Sequence, residues 1–300
     1  AANSTQLKTG TVAYQANYYT AKWKGDLKAL AVDPNTGAIA ATPTWTAAGS
    51  LPAAASRNIW TYSTATTPKY LAFQNGTGST PPALSATQLA ALGSTAAAQA
   101  NMVNYLRGDA ALEQKNTGGT YRNRDTPLGD IVDSQPVYVG SPDPNLFANQ
   151  TFTGSSTYLA FASGTTDNKG NFTPSTAASR AGLIYVAAND GMLHGFDATT
   201  GAEKFAYIPG AVLTAGSAGG LVGLSQLSSP DYGTTAGAPH QYFNDGELTV
   251  ADVYLGSAWK TVLVGTTGRG LAKAVYAFDI TDPTAIKFLW ERSAGDGQTN

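Results

Sequence analysis

The chain has 300 residues with 18 Lys+Arg against 20 Asp+Glu, a net charge of -2, and only 13% of it is charged, roughly half the usual ~25%. That balance argues against nucleic acid as the main partner, because phosphate binding needs a basic surface, and the 42% hydrophobic and 10% aromatic content excludes disorder of the whole chain. No cysteine is present and His194 and His240 are the only histidines, which excludes a disulfide framework, a cysteine nucleophile and a three-histidine zinc site.

The 33 glycines exceed the average share of about 7% and announce many tight turns, hence many short strands. In chain order, strand candidates come first at 12–19, 27–33 and 43–47, then at 57–62 and 69–73, which are expected to begin a further unit. A helical stretch follows. Ser85 and Gln88 have the spacing of a capping box, with Leu84 and Leu89 as a hydrophobic staple, and Gly93 stops that helix. Ser94 can cap a second helix, on which Ala96, Ala100, Val103 and Leu106 share one face until Gly108 ends it. Residues 81–126 therefore read as a helical and loop insert, and the Ser/Thr/Gly/Asn-rich residues 151–178 as a loop insertion. Two four-strand sets complete the chain: 131–140, 183–188, 192–197 and 203–208, then 248–255, 259–264, 274–280 and 286–291. Asn189, Asp190 and Gly191 mark a hairpin turn between two of these strands. No apolar run is long enough to span a bilayer. Ala1-Ala2-Asn3 lacks signal-peptide features, so the chain is either cytoplasmic or a processed or excised piece of an exported protein, and low charge with abundant Thr, Ser, Gly and Tyr fits the exported reading better.

Three segments align without gaps: Ala29–Gly37, Leu193–Gly201 and Val275–Pro283. Each alternates bulky and small residues up to an aspartate, and an aromatic follows eight to twelve residues later at Trp45, Phe205, and Phe288 with Trp290. The Asp-to-Asp spacings, 164 and 82, are multiples of 41, and a unit of about 40–50 residues is the size of a four-stranded propeller blade. An Asp carboxylate at such a position accepts backbone N–H groups two residues on, and Gly37 or Gly201 supplies the positive φ that closes the hairpin. Asp33, Gly37, Asp197, Gly201 and Asp279 are therefore read as blade-turn residues, with Asn189, Asp190 and Gly191. The fold class is mainly β: a partial, modified propeller of four-stranded antiparallel blades. Residues 1–300 are expected to form about four blade equivalents of one larger propeller domain, stopping before the ring closes.

Five motifs in order, Asn104–Asp109, Pro127–Gly140, Ile184–Asp197, Trp259–Gly270 and Ala277–Pro283, resemble the PilY/PilC family of type IV pilus biogenesis factors and tip-associated adhesins. The resemblance runs from about Tyr14 to Trp290. It implies a non-enzymatic, exported protein of a Gram-negative bacterium, at the pilus tip, cell surface or periplasm. It also implies a C-terminal propeller, minor pilins as partners, a host-cell or abiotic surface as a further partner, and roles in pilus extension, twitching and adhesion. The family's calcium loop is expected beyond residue 300, so no cofactor is expected in this segment; Asp167–Asn171 lacks the alternating ligands of such a loop.

Other readings compete at single motifs. Arg107-Gly108-Asp109 is an RGD tripeptide, a candidate integrin ligand, although Arg in a last helical turn followed by a stop glycine is the favoured interpretation. Gly265–Gly270 lacks the Lys-Ser/Thr and the following helix of a phosphate loop. His194 is expected to be packed or hydrogen-bonded on its strand, and His240 has no evident carboxylate or serine partner. Asp130, Asp133, Asp245 and Asp252 could gather around a channel. Two other functions share the propeller pattern. A quinone-dependent dehydrogenase is disfavoured by the missing cysteine pair, and a carbohydrate-binding propeller is supported only by the 30 aromatic residues.

Overall fold

A computed structural model describes residues 1–4, 6–74, 84–215, 223–234 and 237–294; residues 81–83 of the expected insert and the end at 295–300 lie outside them. The chain opens with strands β1 (Val12–Tyr19), β2 (Lys24–Ala31) and β3 (Trp45–Thr46), a short helix α1 (Ala47–Ser50), and strands β4 (Ile59–Tyr62) and β5 (Tyr70–Ala72). Helices α2 (Ala86–Leu92) and α3 (Ala96–Arg107) follow, then β6 (Val137–Val139). Next come α4 (Ser155–Ala162), the hairpin β7 (Gly164–Thr166) and β8 (Phe172–Pro174), and α5 (Thr176–Ser179). Strands β9 (Leu183–Ala187), β10 (Leu193–Asp197) and β11 (Glu203–Ile208) lead to α6 (Gly210–Thr214), and β12 (Leu248–Leu255), β13 (Ala258–Thr266), β14 (Ala274–Asp279) and β15 (Lys287–Ser293) end the described chain.

Three sheets form the body. They are β1-β2-β3, the six-stranded β5-β4-β11-β10-β9-β6, and β12-β13-β14-β15. Both predicted four-strand sets appear as contiguous antiparallel runs, because period-two alternation gives each strand a face to bury. The alternation also explains the layering. On the six-stranded sheet, Leu183, Tyr185, Leu193, Phe205 and Tyr207 point toward Leu263, Tyr276 and Phe278 of the β12–β15 sheet. Ile184, Val186 and Phe196 on the other face meet Tyr14, Leu27 and Trp45 of the first sheet. The β4–β11 half of that face is covered instead by helices, where Ile59, Ala206 and Ile208 pack with Leu92, Val103, Leu106 and Leu213. The fold is thus a mainly β, blade-like stack in which helices replace strands over half of one layer.

Three expectations change. Segments 57–62 and 69–73 do not begin a fourth unit. They extend the central sheet, with β4 parallel to β11 through Ala206↔Ile59 and Ile208↔Thr61, which satisfies an otherwise open sheet edge. The stretch 151–178 is not simply a loop: it holds α4, the β7–β8 hairpin and α5. Helix α4 is too short to persist alone, so packing of Tyr158 and Ala162 against Trp259 must hold it. The second helix of the insert is capped by Thr95, whose side chain accepts from the Ala98 N–H, rather than by Ser94; the Ser85–Gln88 capping box is present.

Candidate functional site

The aspartate turns share one geometry. Asp33 Oδ1 accepts from the N–H groups of Asn35 and Thr36 at 2.8 and 2.9 Å, and Asp197 Oδ1 from those of Thr199 and Thr200 at 2.9 and 3.0 Å. Gly37 and Gly201 both adopt φ of +73°. Asp279 Oδ1 accepts from the N–H and hydroxyl of Thr281. These local bonds close each turn through one carboxylate oxygen, Oδ1.

Asn189, Asp190 and Gly191 also form their turn, with Gly191 at φ +92°, but here the turn is the start of a buried ionic seam. Asp190 accepts from the N–H groups of Gly129 and Met192 and from His194 Nε2, at 3.1 Å to Oδ2. His194 Nδ1 donates to Glu203 Oε1 at 2.7 Å, and Glu203 receives both Nε and Nη2 of Arg57 at 2.7 Å. Each of these four residues is less than 9% exposed. The Asn189 amide donates to Asp130 Oδ2 at 2.8 Å, and His240 Nε2 lies 3.0 Å from the same oxygen. The His240 ring stacks on Trp23 at 3.7 Å between centroids. Residues from the segment before β4, the 127–131 segment, the β9–β10 turn, β10, β11 and the segment before β12 are thereby tied together. Glycine is required where they cross. A Cβ on Gly129 would lie 2.1 Å from the Asp190 nitrogen.

The electrostatics follow from this packing. Burial alone would lower the His194 pKa, but the carboxylates of Asp190 and Glu203 outweigh it and raise it to about 9. Burial likewise pushes Glu203 up, and Arg57 and His194 overcome that and hold it at about 2. An unfolded histidine titrates near 6.5 and a glutamate near 4.3. The His194 contribution is therefore complete below about pH 6.5 and is lost as pH rises through about 9; the Glu203 contribution is present above about 4.3 and is lost as pH falls through about 2. Urea unfolding across pH should show stability falling by about 3 kcal/mol between pH 6.5 and 9.5, and His194→Gln should flatten that limb. An equal alkaline decline in the variant would show that His194 is not its source.

The other candidates separate. Asp133 and Asp245 meet at the half-exposed Arg269, 2.7 and 3.3 Å from its Nε, and the Asp245 carboxyl is pushed up by burial. Asp130 sits on the seam with His240, so the histidine expected to lack a carboxylate has one, from 110 positions away. Asp252 is elsewhere, accepting from Tyr158 Oη and Thr261 Oγ1 at 2.7 and 2.6 Å. The Thr261 hydroxyl also accepts from Arg180 Nη1 at 2.6 Å. This chain of bonds, with Phe147 and Tyr158 packed on Trp259 at 5.2 and 4.7 Å, fixes the insertion to one end of the β12–β13 hairpin. Outside that anchor Leu146, Leu159 and Phe172 are 53%, 61% and 58% exposed.

The RGD tripeptide has the geometry of the favoured interpretation, a helix end. Gly108 ends α3 at φ +110°, and the Arg107 guanidinium turns inward, donating to the carbonyls of Phe73, Ala54 and Arg57 at 2.6–2.8 Å. At 8% exposure, Arg107 has no charge to offer an integrin. Among the described residues, no three His, Asp or Glu side chains are grouped so as to hold a metal ion, and no helix is long and apolar enough to cross a membrane.

Comparison with known proteins places this geometry in context. The family model of the PilY1 beta-propeller domain matches residues 128–300. A type IV pilus biogenesis factor PilY1 homolog of Xylella fastidiosa (strain Temecula1) is 41% identical over 299 residues, covering 98% of this chain and 20% of that protein. The type IV pilus biogenesis factor PilY1 of Pseudomonas aeruginosa (strain UCBPP-PA14) is 34% identical over 296 residues, covering 93% and 22%. The chain thus spans about a fifth of these relatives' length. The crystal structure of the P. aeruginosa PilY1 C-terminal domain shares 32% identity over 53% of this chain and 26% of that one, with a TM-score of 0.32.

Proposed function

The chain belongs to the PilY1 family, and on that footing we propose that it serves type IV pilus biogenesis as a non-enzymatic binding scaffold, outside the cytoplasm. Its partners are minor pilins at the pilus tip, and through them it contributes to pilus extension, twitching motility and attachment to host-cell or abiotic surfaces. The family match carries this reading. The structure adds a physical route: the buried seam and the Trp259 anchor hold a rigid body from which the insertion projects Leu159 and Phe172, with Leu146 exposed just before it. Exposed apolar side chains on a mostly polar surface are what a protein partner would bury.

Co-purification tests this. Full-length protein tagged in its own bacterium should recover minor pilins, and Leu159→Asp with Phe172→Asp should lower recovery on the order of tenfold while leaving the fold intact, as for a contact dominated by a few residues. Equal recovery by the double variant would remove the insertion as the contact, and no minor pilin in either sample would count against the partner assignment.

A further inference from the structure

Between the two larger sheets, where the β4–β5 end of the central sheet faces the turn joining β14 to β15, lies an open cavity of about 590 Å³. That volume is within the range of small-molecule sites, roughly 300–1,000 Å³. Its chemistry is mixed. One wall is aromatic: Trp60 and Tyr70 stack at 4.6 Å and 10°, and Phe205 lies beside them. The rim is polar, from Asn58, Asp197, Lys204 and Thr284.

We propose that this groove binds a saccharide, one pyranose ring lying against the face of Trp60 turned away from Tyr70, with its hydroxyls turned to the rim. The apolar C–H face of a pyranose suits a flat aromatic surface, and its hydroxyls need both donors and acceptors close by. The groove offers both. The Tyr70 hydroxyl, a donor and an acceptor, has no hydrogen-bond partner among the described residues. Lys204 is half-exposed, its Nζ 3.9 Å from Asp197 Oδ2, too far for a hydrogen bond, so its donors and that oxygen are both open to a ligand. One cation and one anion on the rim leave no net charge, which favours a neutral ligand over a phosphate or a charged peptide. The aromatic wall is rigid before any ligand arrives, because Tyr70 also stacks on Phe288 at 5.1 Å and Trp60 Nε1 donates to Asn58 Oδ1 at 2.7 Å. Preformed walls reduce the ordering cost of binding.

A glycan array followed by titration of the chain's tryptophan fluorescence with free glucose, galactose and N-acetylglucosamine tests the assignment. At least one glycan should bind. Trp60→Ala should weaken it more than about tenfold and Lys204→Ala severalfold, as expected of an anchor and a rim contact, with Trp290→Ala, outside the groove, unchanged. Should Trp60→Ala fail to fold by circular dichroism, Lys204→Ala decides. Binding unaffected by Lys204→Ala and Trp60→Ala overturns the proposal. So does failure of every glycan, or a groove that takes an apolar peptide instead. Neither result bears on pilin binding, which is read separately.

Discussion

Glu203→Ala should destabilise the folded chain by about 3–5 kcal/mol, the cost of removing one partner from a buried ion pair. Glu203 is the common acceptor of two cations, receiving Arg57 through two 2.7 Å bonds and His194 through a third. Its loss leaves a guanidinium that is 1% exposed and an imidazolium that is wholly buried facing no carboxylate but Asp190. The loss is large against total domain stabilities of about 5–15 kcal/mol. Arg57→Met alone should cost a similar amount, whereas Arg57→Met with Glu203→Met should cost clearly less than the sum, since both charges leave the interior together. Chemical denaturation of the four proteins completes the cycle. A single-variant loss below about 1 kcal/mol, the usual limit for exposed ion pairs, would mean that the seam does not hold the layers together.

Local chemistry was legible in the sequence. The Asp33, Asp197 and Asp279 turns each close on N–H or hydroxyl groups two or three residues away, so the residues that make the turn are all in view. The Ser85–Gln88 capping box is equally local. Period-two alternation was enough to place the strands of both four-strand sets, because each has a clear inward face. What failed was long-range pairing. Arg57 and Glu203 are 146 positions apart and Asp130 and His240 110 apart; nothing in spacing distinguishes them from other charged residues. The parallel contact of β4 with β11 was hidden for the same reason, since strand patterns do not name their partners. Helix α4 was missed because its Ser/Thr-rich start reads as loop and its stability comes from Trp259, about a hundred residues on. The one clue was the aromatic density of Phe147, Phe152, Tyr158 and Phe161 in an otherwise polar stretch. Arg107 shows the converse: a recognisable tripeptide whose first residue is spent on backbone carbonyls.

The most direct test of the functional account is made in the bacterium that carries the gene. Removing the codons for this chain should abolish or sharply reduce surface pili, counted by electron microscopy and by shearing, and with them twitching and attachment. Restoring the full-length gene should restore all three. Complementation with the Glu203→Ala gene should fail in proportion to its loss of folded protein, whereas Asp109→Ala, which removes only a partly exposed carboxylate bonded to the Ala111 N–H, should complement fully. Normal surface piliation in the deletion strain would contradict assignment of this chain to pilus biogenesis.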